Sequence, residues 1–314
     1  MEITVVLEQM FIILILILTG LFLFRKKMLS EETSRQISDL IVNVTNPAVI
    51  ICAAFDDTPK VPLQELGLCL LVFLLSYFVL FISDYLITLF LKIPDHDRYS
   101  YHVLSIFGNV GFIGIPIASA VLGTEALVFV SLNILIFNIL IYSYGMILLK
   151  KAAIRQGKYQ PAKHSESQMK NLINAGTVSA VFMIVFYLAD LPIPSAIYTT
   201  LNYAGRSTTF LSMLVLGVSL AQMAIRDIFS QPKLYIFIVI RQILLPVAFG
   251  LALRHFINNS LILDTAILLL AVPAANMPLM ISKQLQIDTD TISQGIILGT
   301  LLSLITIPIV VLVL

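Results

Sequence analysis

Hydrophobic and polar positions alternate on a long scale in this chain: extended apolar runs are separated by short polar connections. A helix of about 20 residues, rising ~1.5 Å per residue, spans the ~30 Å hydrocarbon layer of a bilayer. Ten runs fit that length, over residues 4–24, 37–55, 66–91, 100–122, 126–149, 172–188, 197–223, 234–256, 263–285 and 292–314. Each predicts a membrane-spanning helix. The seventh has the most polar opening, Tyr203-Ala204-Gly205-Arg206-Ser207-Thr208.

The polar connections carry an orientation. Lysine and arginine gather on the cytoplasmic side of membrane proteins. If the N-terminus faces outward, the cytoplasmic connections hold fifteen of the 19 basic residues. These are Arg25–Lys27, Arg35, Lys92, Arg98, the six between Lys150 and Lys170, Arg226, Lys233 and Lys283. The outer connections hold Lys60 and Arg254 alone, while Arg206 and Arg241 fall inside spans. Both termini are therefore expected outside the cell membrane. The first run is expected to be a retained span rather than a signal peptide, because its basic cluster follows it. Residues 151–170, polar and without apolar period, read as a cytoplasmic linker between two five-helix halves, 1–150 and 171–314. An odd number of crossings inverts the second half relative to the first, an arrangement that recurs in secondary transporters.

Composition agrees. Apolar residues make up 59% of the chain and charged residues 12%, with mean hydropathy +0.98. A soluble domain is normally about a quarter charged, so lipid is the expected solvent for much of the surface. An all-α bundle is then required, because every backbone group must be bonded within its own segment or within a closed barrel, and barrel strands are short and alternating. The net charge of +1 gives no reason to expect nucleic acid as a partner. The two cysteines and four histidines are scattered, without the spacing of a metal site or of a disulfide framework. No cofactor is expected.

Two spans are interrupted. The fourth reads Phe107-Gly108-Asn109-Val110-Gly111-Phe112-Ile113-Gly114-Ile115-Pro116, with three glycines and a proline in nine residues. The ninth reads Ala271-Val272-Pro273-Ala274-Ala275-Asn276-Met277-Pro278. Proline removes a backbone donor and crowds the preceding turn, and glycine weakens a helix interior by ~1 kcal/mol. Both segments should break near the middle of the membrane, at matching places in the two halves, the sequence pointer to a transporter site. A broken helix exposes N–H groups at one end and C=O groups at the other, carrying about half a charge each. Two crossing breaks would present two positive ends to a carboxylate, with Asn109 and Asn276 as neutral partners. Each asparagine could instead cap broken backbone, and Gly111 and Gly114 could be a packing surface. Asn46-Pro47 in the second span is a weaker signal of the same kind, or a kink. Gly217, with Ser212 and Ser219, reads as a close helix approach.

These segments resemble the auxin efflux carrier family, in particular its short prokaryotic permeases. The resemblance rests on Thr45-Asn46-Pro47-Ala48, the Gly108–Pro116 stretch, Met213–Ala221, Arg241-Gln242-Ile243-Leu244-Leu245-Pro246 and Pro273-Ala274-Ala275-Asn276, in that order along the chain. It implies ten helices in two inverted repeats, with a scaffold and a transport domain, and a fold related to the sodium–bile acid symporters. It further implies a substrate carboxylate held where helices four and nine cross. Carried over, the site candidates are Asn109, Gly111, Pro116, Pro273, Asn276 and Asn46. A homodimer through the scaffold is implied by the resemblance alone.

Ionisable groups inside spans are functional candidates by default. Asp84 reads as a proton relay, a tie to a basic partner or an interfacial carboxylate. Arg241 reads as snorkelling inward or pairing with Asp84 or Asp39, and both residues are candidates for coupling or gating. Arg206, near the outer start of the seventh span, could attract an anion. The expected function is a secondary transporter of a small organic anion, a mono- or dicarboxylate, whose coupling to sodium or protons is open. A cation–proton exchanger on the same fold is the alternative, although neither break contains the carboxylates it would need. An intramembrane enzyme lacks a motif, and a receptor lacks an appended domain.

Overall fold

The structure, a computed structural model, describes residues 3–55, 61–157, 173–189, 191–222 and 230–313, the side chains of 283 and 284 excepted. Most of the expected linker, with Lys158, Lys163 and Lys170, and the expected loop residues Lys60 and Arg226 lie outside the described residues.

Among the described residues the regular structure is helical, apart from one bridging pair between Gly108 and Ala274. The helices are α1 (Ile3–Arg25), α2 (31–52), α3 (Leu63–Phe90), α4 (Arg98–Ile106), α5 (Val110–Leu122), α6 (Ala126–Arg155), α7 (Ala175–Ala189), α8 (Ser195–Gln222), α9 (Pro232–Leu253), α10 (Ser260–Ala271), α11 (Met277–Gln284) and α12 (Asp290–Val313). Six of them, α1, α3, α6, α8, α9 and α12, are long and apolar enough to cross a membrane. Their exposed faces are apolar, with Phe11 on α1 and Leu71 and Phe78 on α3 all more than half exposed, as suits a surface solvated by lipid. The expected fourth span is the pair α4–α5, and the expected ninth is α10–α11.

Local chemistry explains where several helices start and bend. Ser30 opens α2 by accepting a bond from the Thr33 N–H at 3.0 Å. Asn259 opens α10 in the same way, accepting from Leu261 and Ile262. Four helices contain one π turn, at Ile41–Thr45, Val110–Gly114, Ile141–Gly145 and Ile240–Leu244. Three of these turns precede a proline by two residues: Pro47, Pro116 and Pro246. Proline clashes with the carbonyl four residues back and offers it no N–H. A widened turn relieves that clash while keeping the helix continuous.

Packing is continuous through the molecule, with α7 also against α6 and α1 against α12, but two neighbourhoods stand out. α8 lies along α1 and against α2, and α7 packs on α2. Gly217 allows the close approach expected of it, since a Cβ there would overlap the Ile17 carbonyl oxygen, and Gly20, which the sequence did not single out, does the same against that of Leu214. The second neighbourhood surrounds the two interrupted segments: α3 packs on α4, α6 and α10, and α9 on α10 and α12.

Candidate functional site

The two interruptions meet. α4 ends at Ile106, α10 at Ala271, and the extended residues that follow run antiparallel to one another. The Asn109 N–H donates to the Pro273 carbonyl at 2.7 Å, and the Ala275 N–H donates to the Phe107 carbonyl at 2.8 Å. Backbone groups freed by the breaks thus satisfy each other at depth. Gly108 permits this approach, since a Cβ there would already lie 3.1 Å from the Val272 side chain and 3.5 Å from the Leu269 carbonyl. Pro273, with no N–H to satisfy, contributes its carbonyl to the pairing.

Beyond the pairing, each chain resumes as a helix. Asn109 caps the turn opening α5, its Oδ1 accepting from the Phe112 N–H at 3.1 Å. The capping alternative therefore holds for one end of that amide. Its other end, Nδ2, is buried without a partner. Asn276 immediately precedes α11, and its carbonyl accepts the Met280 N–H at 3.0 Å. Asn46 on α2 comes close to the same place: a Cβ on Gly111 would lie 3.0 Å from the Asn46 Nδ2. The Asn46 Oδ1 is buried and unpartnered, so the amide does not re-satisfy backbone at a kink through that oxygen. Gly114 faces the Leu269 side chain, which makes it a packing glycine.

Arg241 lies behind the crossing and was not expected there. Its Nε donates to the Ser105 carbonyl and its Nη1 to the Leu270 carbonyl. These carbonyls belong to the last turns of α4 and α10, the two ends bearing partial negative charge. The side chain is 3% exposed. The expectation that it snorkels, or pairs with Asp84 or Asp39, does not hold: a planar fork of donors bridges two helix C-termini instead. Pairing across the gap left by the breaks decided this, which spacing within one helix could not reveal. With Arg241 in place, the remaining void beside Tyr77, Asn133 and Gly108 is about 10 Å³, no more than the size of one water.

Two cavities approach the crossing from opposite ends of α2 and α8. The larger, about 930 Å³, is bordered by Ser34, Arg35, Ser38, Val215, Leu216, Ser219 and Asn276. The smaller, about 390 Å³, is bordered by Val49, Cys52, Pro116, Gly205, Arg206 and Thr208. Of the sequence-derived candidates, Asn276 thus opens on the first cavity and Pro116 on the second. Asn109, Asn46, Gly111 and Pro273 lie near the crossing between them.

Comparison with known proteins fits this arrangement. The profile of a family described as "Membrane transport protein" matches residues 5–311. The chain belongs to this family, which holds the auxin efflux carriers. The transporter is also similar to an uncharacterized transporter of Methanocaldococcus jannaschii, 26% identical over 310 residues and covering 96% of each chain. It is a polytopic membrane protein of a transporter family rather than of an enzyme family.

Asp84 of the transporter lies away from the crossing. It is buried on α3 and its Oδ2 meets the Nδ1 of His102 on α4, so the basic group it contacts is a histidine and not Arg241. Sequence reasoning also passed over the hydroxyls of Thr45 and Thr208. Nothing in composition separates them from the many helix hydroxyls that bond their own backbone.

Proposed function

We propose that the transporter moves a small organic anion across the cell membrane by alternating access, with the crossing of the two interrupted segments as its substrate site. The observation that carries this reading is the antiparallel Gly108–Ala274 pairing between two cavities. It aligns two helix restarts, each preceded by an asparagine, in segments (107–116 and 271–278) that contain no carboxylate. The partial positive charge of a helix N-terminus attracts an anion. Arg241 neutralises the opposite, negative ends, so the crossing is not left with an attraction for cations. A cation–proton exchanger would need carboxylates there, and the charged side chain at that place is a guanidinium.

In this reading the chain crosses the membrane ten times, in two inverted five-helix halves, 1–150 and 171–314, joined by 151–170. Both termini are outside. The helices α1, α2, α7 and α8 act as the scaffold, and the group around the crossing moves against them. The larger cavity, at the Arg35 end, is then on the cytoplasmic side, and the conformation is open inward.

The test is binding and uptake by the purified protein. A ligand that binds the folded state raises the melting temperature by mass action. Short mono- and dicarboxylates should raise it in wild type, and the shift should shrink in Asn109→Ala and Asn276→Ala, with proteoliposome uptake falling about tenfold as a hydrogen bond to an anion is lost. Shifts with sodium or a pH step, but with no anion, would overturn the reading in favour of cation exchange.

A further inference from the structure

We infer that Thr45 on α2 and Thr208 and Ser212 on α8 form a second polar subsite, which binds a hydroxyl or second carboxyl group of the transported anion. The inference rests on the crossing as the carboxylate site and adds what the remainder of the substrate must be: short and polar, rather than aromatic and apolar.

The first observation is an exception to a habit of this chain. Its helix hydroxyls generally donate to a carbonyl three or four residues back. On α8 itself Thr200 bonds Ala196, Ser207 bonds Ala204 and Ser219 bonds Val215. Thr208 and Ser212, on the same helix, do not, and neither does Thr45 at the end of the π turn of α2. All three hydroxyls are buried with no partner, as are the Asn46 Oδ1 and the Asn109 Nδ2; Ser105, Thr177 and Ser282 share the exception on other helices, so position decides among them. A buried polar group left unpaired is costly, and a chain that can satisfy a hydroxyl locally has a cheap way to avoid that cost.

The second observation is their position. Gly205 lies against Val49 near the smaller cavity, while Ser219 and Ser38 border the larger one, so α2 and α8 run antiparallel past each other. Thr208 is one turn from Gly205 toward the larger cavity, level with Thr45 and Asn46. Residues 205, 208 and 209 border the smaller cavity and 215, 216 and 219 the larger. Ser212 continues the same helical stripe, at the i+4 position from Thr208. Thr208 thus edges the smaller cavity while Thr45 and Ser212 lie in the layer separating the two, on the helices that the Val110–Gly114 turn approaches through Gly111 and α8.

The third point is chemical. A hydroxyl both donates and accepts, whereas the Asn46 Oδ1 only accepts and the Asn109 Nδ2 only donates. The Asn109 Nδ2 and the three hydroxyls are satisfied by a ligand that presents an acceptor at the crossing and a group with its own donor or acceptor at the α2–α8 wall. A short carboxylate bearing a hydroxyl or a second carboxyl does so, and the hydroxyl can in addition donate to the Asn46 Oδ1. A phenyl ring would leave the three hydroxyls unpaired, and an indole could serve one of them through its single N–H.

The experiment compares matched anions that differ only in the distal group: propionate with 3-hydroxypropionate, and butyrate with succinate, plus indole-3-acetate. Affinity is read by competition in proteoliposomes holding wild type, Thr208→Val or Ser212→Ala. Wild type should prefer the polar member of each pair about tenfold, the worth of one or two hydrogen bonds, and the variants should lose that preference while retaining propionate and butyrate. Removing unpaired hydroxyls should leave the ligand-free Tm unchanged or higher, whereas a structural role would lower it. If wild type binds both members equally, or the variants keep the preference, the layer holds water only and the subsite is overturned while the carboxylate site stands. If no carboxylate binds at all, the reading of the crossing fails first.

Discussion

Asn109 shows how one residue joins backbone repair to recognition. Its backbone N–H closes the pairing with Pro273, its Oδ1 caps the restarting helix, and its Nδ2 is left for something else. The cap alone is worth about 1 kcal/mol. Asn109→Asp would keep the cap and replace the free donor with negative charge, so it should abolish anion binding while the protein still folds. Loss of ligand-induced stabilisation, with a monodisperse gel-filtration profile, checks this. Arg241 works differently, through two carbonyls of different helices. A hydrogen bond from a charged donor contributes about 1.5–3 kcal/mol. Arg241→Gln, which cannot reach both carbonyls and leaves buried acceptors unpaired, should lower stability by about 2–4 kcal/mol. Arg241→Lys should recover only part, because an ammonium lacks the fork. Denaturation midpoints of the three proteins decide the order.

At the scale of elements, prolines and glycines have separate uses. Three prolines follow π turns and bend continuous helices, whereas Pro273 sits in the extended segment where α10 has ended. Glycines at 108 and 217 admit neighbouring backbone, at the crossing and between α1 and α8. Gly217→Ala puts a methyl group into the backbone of α1. Overpacking of this kind costs roughly 1–3 kcal/mol, and in lipid there is no hydrophobic gain between helices to offset it. The variant should therefore show a lower Tm, while Gly67→Ala, a change into open space on α3, should not. Equal melting of the two would refute close α1–α8 packing.

For the whole molecule, the arrangement of cavities makes an orientation test possible. In a Cys52→Ala background, Ser219→Cys borders the larger cavity and Thr209→Cys the smaller. A membrane-impermeant charged thiol reagent should label Ser219→Cys from the cytoplasmic face and Thr209→Cys from the outer face, and saturating substrate should slow both. Labelling from the reverse faces would invert the proposed topology without touching the crossing itself.

Hydrophobic run length and the glycine–proline interruptions determined, from sequence alone, that the chain is a helical membrane protein and that helix would break near Gly108 and near Pro273. Both follow from local rules: the cost of unpaired backbone in lipid and the covalent limits of proline and glycine. The helix starts at Ser30 and Asn259 are set by local caps as well, but hydropathy placed those spans later, at 37 and 263, because the polar first turns fall outside the apolar runs. Only the tertiary structure decided which freed backbone groups meet, because the Asn109–Pro273 and Ala275–Phe107 bonds join residues more than 160 positions apart. It alone brought Arg241 to the two helix C-termini and set Asp84 beside His102 rather than beside that arginine. It also left Thr45, Thr208 and Ser212 without the local bond that most helix hydroxyls make, on the two helices beside the crossing. A side chain's type states what it can bond, but whether a partner is within reach depends on packing between helices that no periodicity encodes.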